Sequence, residues 1–326
     1  MDRPTVTAVV TAHDRREYLS QAVRSAIDSG ADEIVVVRNF REPIEGCEGR
    51  YRDVPCDAAE TGEKEARGVE AATGDVVAFL DDDDVWEVAK VSVLRRRFSE
   101  RSDLVYFCHL QRPINSAGEW VTASHPELQG KDPSRFSAIG REDLRALVDG
   151  VWPGNNSSTA VRRAWSLDSL PKLREAGWSC DLFWFVSALL SGREVELGND
   201  PLVRLRLHDR NMSQTRGASS EEFRQRHAQA SARFARAYDT MARMAETRLG
   251  AGSAMVRYLT GKAVAFHFFA DLENNVQPRA AARKLLRQGD GGGERGPRHA
   301  AFLALFSPSV ARRLLYRRSV ERWRLT

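Results

Sequence analysis

Four consecutive carboxylates, Asp81-Asp82-Asp83-Asp84, follow the continuous apolar run Val76-Val-Ala-Phe-Leu80. Such a run suits a strand buried on both faces of a parallel sheet. Four adjacent like charges repel one another, and at the end of a buried strand they cannot all stay ionised without a counter-ion. A divalent cation is the natural one, because hard cations take carboxylate oxygens. In open α/β sheets ligands settle in the crevice beyond the carboxyl ends of the strands. The same acids also read as a solvated cap cluster for a helix opening near Val85, where the helix dipole favours negative charge. The buried strand directly ahead of them favours the metal site.

The surrounding pattern supplies the frame. Residues 5–10 predict a first strand, 18–29 a helix with Leu19, Ala22, Val23, Ala26 and Ile27 at helical spacing, and 33–37 a second strand. Residues 38–62 carry Pro43, Gly46, Gly49 and Pro55 and predict loop with one short strand near Tyr51. A helix over 63–72 leads into strand 76–80, and a helix over 86–97 follows the acids. This alternation predicts a Rossmann-like α/β fold, a mostly parallel sheet flanked by helices. No GxGxxG follows the first strand, so the dinucleotide fingerprint is absent.

Further along, 103–112 predicts a strand, 124–140 irregular chain, 141–149 a short helix, 157–162 a strand, 182–190 an apolar helix and 201–207 a last strand. From about Gly217 the pattern turns helical. Ser219 or Ser220, with Glu221 and Glu222 in the first turn, opens a helix to about Leu249. A second spans 253–272 and a third starts at Pro278; a Gly-rich linker near 288–297 precedes helices over 298–306 and 309–323. The division expected is 1–216 for the α/β domain and 217–326 for the helical region.

At 326 residues, 42% hydrophobic and 29% charged, the composition is that of an ordinary globular chain of one large or two modest domains. The net charge is +4, but residues 279–326 hold twelve Arg and Lys against three acids, which leaves the rest net negative by five. The asymmetry predicts an acidic partner for the C-terminal end, anionic lipid or another polyanion. Helix 309–323 sets Val310, Leu314, Val320 and Trp323 beside Arg312, Arg313, Arg317, Arg318 and Arg322. That pattern suits a membrane surface, or equally a helix docked on its own domain or in a homodimer. Cys47, Cys56, Cys108 and Cys180 form no CxxC pair and read as reduced thiols. With no leader-like segment and no membrane-spanning run, the expectation is a cytoplasmic protein, at most peripheral at the inner face of the membrane, with no nucleic-acid partner.

Several segments in order resemble the family 2 glycosyltransferases, which have the GT-A fold. Val9-Val-Thr-Ala-His-Asp-Arg15 is similar to the family's opening strand and loop, and Glu33-Ile-Val-Val-Val37 to its second strand. Glu65-Ala-Arg67, Ala71-Ala-Thr-Gly-Asp75 and Phe79-Leu-Asp-Asp-Asp-Asp84 resemble the approach to its DxD motif. Gly177-Trp-Ser-Cys-Asp181, followed by Trp184, resembles its Glu-Asp motif with Cys180 in place of Glu. Pro201-Leu-Val-Arg-Leu-Arg-Leu-His208 and Asn211-Met-Ser213 resemble the segment that closes its catalytic domain, so the likeness covers about 215 residues in all.

The resemblance implies a metal-dependent, inverting transfer of a sugar from a nucleoside-diphosphate sugar to a hydroxyl acceptor, lipid-linked or a growing glycan. It makes Asp81 and Asp83 the DxD pair for Mn2+ or Mg2+, with His208 completing the metal ligands or touching phosphate, although a lone histidine also reads as structural. Arg67 would face the diphosphate, and Asp84 would help through a water or the ribose. Thr11, Ala12, Asp14, Arg15, Asn39 and Asp82 join the nucleotide set. Asp181 becomes the base that deprotonates the acceptor, or a cap for the helix that follows it; nothing but the resemblance singles it out. The second strand ends in Arg38-Asn39 where the family has acids, which leaves room for a guanine donor such as GDP-mannose beside the usual UDP-sugars. Residues 152–159 resemble the acceptor-side segment.

Two other readings compete. Leu80-Asp-Asp-Asp-Asp-Val85 also fits DxDx[TV], the nucleophile motif of haloacid dehalogenase-like phosphatases, which would place it on the chain's first strand. A retired transferase serving as scaffold would show a broken metal site or a missing base, yet Asp81, Asp83, Asp84, Arg67 and Asp181 are all present.

Overall fold

The computed structural model describes residues 3–121, 134–136, 154–208, 219–288 and 295–322, with the backbone alone given for 134–136, 295–296 and 318–322. The chain divides into two compact units, one reaching Leu207 and the other running from His208.

The first unit is built on one sheet in the order β3-β2-β1-β4-β8-β6-β9-β5, with β7 pairing β9. Its strands are β1 (Val6–Thr11), β2 (Glu33–Arg38), β3 (Arg52–Pro55), β4 (Val76–Asp81), β5 (Val85–Trp86), β6 (Leu104–Ile114), β7 (Ser134–Phe136), β8 (Thr159–Arg162) and β9 (Glu194–Arg206). β1, β2, β3 and β4 are parallel, β8 is antiparallel to β4 and β6, and β6 runs parallel to β9. The registry sets Thr11 between Val37 and Asp81, so the three strand ends meet at one edge.

β1 is buried along its whole length, which is why its sequence is apolar without alternation. One face packs through Ala8, Val10, Val36, Ala78 and Leu80 on helices α1 (Leu19–Asp28) and α3 (Lys90–Glu100). The other face meets α2 (Thr61–Ala71) and, after the short helix α4 (Leu170–Ala176), α5 (Cys180–Ser191), whose Trp184 stacks on Phe79 at 5.6 Å between ring centroids.

Three predicted elements differ. The helix expected over 86–97 begins only at Lys90, because Val85 and Trp86 pair with Arg204 and Val203 of β9. The acids therefore do not cap a helix at Val85. The last strand is longer than 201–207: its first half was hidden by Glu194 and Glu196, whose charges are met by Arg97 on α3 and by Arg101 just after it. Residues 156–158 form a 3₁₀ turn, and the strand expected there starts at Thr159. The helix expected over 141–149 and the segment 211–213 lie outside the described residues, as does most of the Gly-rich linker.

The second unit holds α6 (Ser220–Leu249), α7 (Ala254–Asn274), α8 (Pro278–Gln288), α9 (Arg295–Phe306) and α10 (Pro308–Arg322). Ser219 and Glu222 cap α6 reciprocally, as the sequence leads one to expect. Val264, Phe268, Leu272, Ala282, Leu285, Ala300, Ala304 and Ala311 share one core. On α10 the buried position is Ala311, Leu315 packs against the core and Tyr316 meets the Phe223 ring edge-on at 5.4 Å. Arg312 donates to the Leu272 carbonyl at 3.0 Å. The described part of α10 thus docks on its own unit, while Val310, expected on the apolar face, is exposed. Among the described residues no helix is long and apolar enough to cross a membrane.

Candidate functional site

β4 delivers Asp81 to the carboxyl edge of the sheet, directly beside Thr11 at the end of β1. The chain then turns through Asp82, Asp83 and Asp84, all buried, before β5 begins. This turn is held by groups from remote parts of the sequence. The Ser157 hydroxyl accepts from the Asp81 amide at 3.0 Å and donates to Asp84 Oδ2 at 2.6 Å. The Arg206 amide donates to Asp84 Oδ1 at 2.9 Å, and its guanidinium reaches the Asp83 carbonyl at 2.8 Å. Lys90, fully buried, donates to the Ser157 carbonyl and lies over the Trp86 ring. Desolvation holds its ammonium well below the ordinary lysine value.

Asp81, Asp83 and Asp84 each offer an oxygen within 4.8 Å of the others. Burial first, and then the neighbouring carboxylates, raise Asp81 well above its ordinary value and push Asp84 up to about 7. The Asp81 carboxyl accepts no hydrogen bond among the described residues. Three carboxylates, one of them unengaged, form a hard oxygen donor set that fits a divalent cation. Among the described residues this is the cluster that fits a cation, and His208, expected among the ligands, falls at the start of the second unit.

Arg15 is the guanidinium set on the run: Nε and Nη2 donate to Asp82 Oδ1, and Nη2 lies 2.7 Å from Asp83 Oδ2. Arg67, expected to face the diphosphate, is instead held by Glu63 at 2.7 Å and donates to the Pro55 carbonyl at 3.0 Å. The charges acting most on Asp81 are those of Asp84, Asp83, Asp82 and Glu65.

The loop after β1 carries the remaining expected contacts. Ala12 is buried and its amide donates to the Val37 carbonyl, which ties the ends of β1 and β2 together. Asp14 takes a left-handed backbone, φ 55°, and is clasped by Asn39: the Asp14 amide donates to Asn39 Oδ1 and Asn39 Nδ2 donates to Asp14 Oδ1. Asn39 therefore shapes the loop. Arg38 is buried in a two-point pair with Asp53 and turned away into a nest of Phe40 and Tyr51.

Asp181 sits in the first turn of α5, where its Oδ1 accepts from the Leu182 amide at 2.8 Å. The helix starts one residue earlier, with Ser179 at its N-cap, so Asp181 does not cap it; burial raises its carboxyl above the ordinary range. The charges of Glu65, Asp181 and Asp81 all act on the buried Cys180 thiol, which burial holds well above its ordinary value.

Two groups went unread in the sequence. Glu65, on α2, is buried, accepts from the Trp184 indole at 2.7 Å and is pushed up to about 8 by burial. Lys64 is 3% exposed, donates to the Ala59 carbonyl at 3.2 Å, and is lowered by burial while the charges of Cys56, Glu60, Asp82 and Asp14 act on it. Helical spacing marks neither one; only an unexplained charge on the inner face of α2 could have flagged them. The run ends the fourth strand in chain order, which the phosphatase reading does not accommodate.

Comparison with known proteins places these features. The model of "Glycosyl transferase family 2" matches residues 7–166. EpsH of Bacillus subtilis (strain 168), named as a glycosyltransferase, is 22% identical over 64% of this chain and 62% of its own length. The uncharacterized glycosyltransferase alr2836 of Nostoc sp. (strain PCC 7120) is 31% identical over 44% of this chain and 45% of its own. The chain thus matches less than two thirds of the length of either relative. Among solved structures, S. aureus TarS 1–349 in complex with UDP-GlcNAc superposes with a TM-score of 0.52 at 12% identity, covering 93% of both chains, a likeness of fold.

Proposed function

On the premise that the chain carries a family 2 glycosyltransferase domain of GT-A fold, we propose that it transfers a sugar from a nucleoside-diphosphate sugar to a hydroxyl acceptor with inversion. The observation that carries the reading is the meeting of Asp81, Asp83 and Asp84 within 4.8 Å at the edge where β1, β2 and β4 end. The TarS structures bound to UDP and UDP-GlcNAc support a donor of this class.

In this reading the nucleoside lies against Thr11, Ala12, Asp14 and Asn39, where the mutual hydrogen bonds of Asp14 and Asn39 preset the loop. Asp81, Asp83 and Asp84 would hold Mn2+ or Mg2+, which when bound neutralises charge on the departing diphosphate. Arg15 supplies permanent positive charge to the phosphates, with Arg67 a contact from the rim. Asp181 takes the proton of the acceptor hydroxyl as it attacks the opposite face of the sugar; burial raises its basicity for that task. The donor is GDP-mannose or a UDP-sugar, and the acceptor a lipid-linked or growing glycan.

The second unit is assigned to an anionic membrane surface, on its basic composition and on the exposed Phe302, Phe306 and Val310. Cutting the chain before Gly291 would strip Ala300, Ala304 and Ala311 from the core, so the cleaner variant is Phe302→Ser with Phe306→Ser. Loss of sedimentation with anionic liposomes supports the assignment; unchanged sedimentation with a concentration-dependent dimer points to self-association.

The test of the donor is a thermal-shift screen of UDP-, GDP-, CDP- and dTDP-sugars with and without Mn2+. A ligand that binds the native state raises its melting temperature. A Mn2+-dependent rise with one nucleotide is expected, and no rise with any of them contradicts the reading.

A further inference from the structure

We propose that Arg15 is a built-in counter-ion of the acidic run, one that must release Asp83 when a divalent cation binds and then turns to the donor's diphosphate. The inference rests on the reading above, in which Asp81, Asp83 and Asp84 take the cation.

Among the described residues, Lys90, Arg206 and Arg15 are cations beside the run that are used differently. Lys90 and Arg206 are almost wholly buried and hold neutral groups. Lys90 meets the Ser157 carbonyl and the Trp86 face; Arg206 reaches the carbonyls of Asp83, Asn115 and Ser116, the Gln21 amide oxygen and the Tyr18 ring. These contacts fix the path of the turn, and a bound cation would leave them in place. Arg15 bonds to the carboxylates themselves, Asp82 by two nitrogens and Asp83 at 2.7 Å.

Asp83 is therefore claimed twice. Its carboxylate belongs to the set of three that could share a cation, and it also pairs with Arg15. A guanidinium and a divalent ion on one carboxylate repel strongly where the surroundings are buried. Asp82, which is not one of the three, can keep a hold on Arg15 while Asp83 is given up. Arg15 also has somewhere to go. It follows the left-handed Asp14 on a loop, outside any strand or helix, and 20% of its side chain is exposed. A guanidinium freed there presents a planar fork that matches phosphate oxygens in two-point contact. In the cation-free protein Arg15 relieves the repulsion within the run; in the loaded protein the same charge serves the donor.

The sign of the effect separates this device from a merely structural ion pair. A structural pair, once broken, weakens every ligand of the site. A competing counter-ion, once removed, strengthens the cation and weakens the nucleotide. Calorimetric titration of the full chain with MnCl2 alone, and with UDP and with GDP at saturating Mn2+, reads both. Arg15→Gln is expected to bind Mn2+ alone at least tenfold more tightly than the native chain, and its preferred nucleoside diphosphate at least tenfold more weakly. Unchanged or weaker Mn2+ binding by Arg15→Gln overturns the proposal. If the native chain binds neither UDP nor GDP with Mn2+, the donor reading falls, while the titration with Mn2+ alone still decides the role of Arg15. Should Arg15→Gln lose its cooperative melting transition, Arg15→Lys keeps the charge without the fork. It is expected to fall between the native chain and no binding for the nucleotide while binding Mn2+ more tightly; native-like values for both overturn the proposal.

Discussion

Glu65 on α2 accepts a hydrogen bond from the Trp184 indole of α5 at 2.7 Å, and this bond ties the helix beside β1 to the helix whose first turn carries Asp181. The pair lies behind the acidic edge: Trp184 stacks on Phe79 of β4, and the Glu65 carboxyl acts on both Asp81 and Cys180. Burial lifts Glu65 from an ordinary value of 4.5 to about 8. An acid with a raised folded value binds more protons folded than unfolded between those two values. Its contribution to stability is complete below the unfolded value and is lost as pH rises toward the folded one. Urea unfolding from pH 5 to pH 8 is therefore expected to show stability falling, and Glu65→Gln to flatten that fall by up to about 1.4 kcal/mol per pH unit. An unchanged slope would contradict a buried, protonated Glu65.

Gly68 is where α2 meets β1. A Cβ there would stand 2.2 Å from Val9 Cγ1 and 3.3 Å from Val37 Cγ2, both on strands that cannot move away. Gly68→Ala gains about 1 kcal/mol of helix propensity. Overpacking of this kind costs about 1–3 kcal/mol. The clash is expected to win, with a lower midpoint in urea; a more stable variant would show that α2 does not approach β1 this closely.

How much of this was legible follows from where each residue's partners lie. β1, β2 and β4 are buried on both faces, so their apolar runs announced them, and the acids at the end of β4 announced the edge. The Ser219–Glu222 cap of α6 spans three residues and is likewise written locally. β5 is two residues long and exists only because β9 pairs with it, so no local signal marks it. Ser157, Arg206 and Glu65 are polar residues made structural by partners 73, 122 and 119 positions away. Arg67 shows the converse case: its place in the motif suggests a phosphate contact, and without a ligand it rests on Glu63 one turn back and on the end of β3, partners the motif does not announce. On α10 the small Ala311 is buried while the larger Val310 is exposed, so side-chain size was a poor guide to that helix's inner face.

Asp84 is pushed up to about 7, first by burial and then by the Asp83 charge. A cation requires its ligands deprotonated, so uptake of Mn2+ near pH 6 is expected to release a proton. Titrating Mn2+ into the chain in buffers of different ionisation enthalpy measures that release. Asp84→Asn should reduce it, and a buffer-independent heat would contradict the assignment of Asp84.

Asp181→Asn removes the proposed base but leaves an oxygen to accept from the Leu182 amide at the start of α5. Donor affinity should stay within a few-fold of native, while transfer to the acceptor falls by roughly 10²–10⁴-fold. Native turnover by this variant would remove Asp181 from the mechanism. A matched loss of donor affinity would leave it a structural role alone.

The acidic edge is proposed as the seat of a metal-dependent nucleotide site. The most direct measurement is anomalous scattering from Mn2+ in crystals of the full chain grown with UDP or GDP. The expected result is a manganese peak bridging the nucleotide phosphates and the carboxylates of Asp81, Asp83 and Asp84, with the nucleoside against Thr11, Asp14 and Asn39. A nucleotide bound at that edge with no manganese on these aspartates, or manganese and nucleotide bound elsewhere, would contradict it.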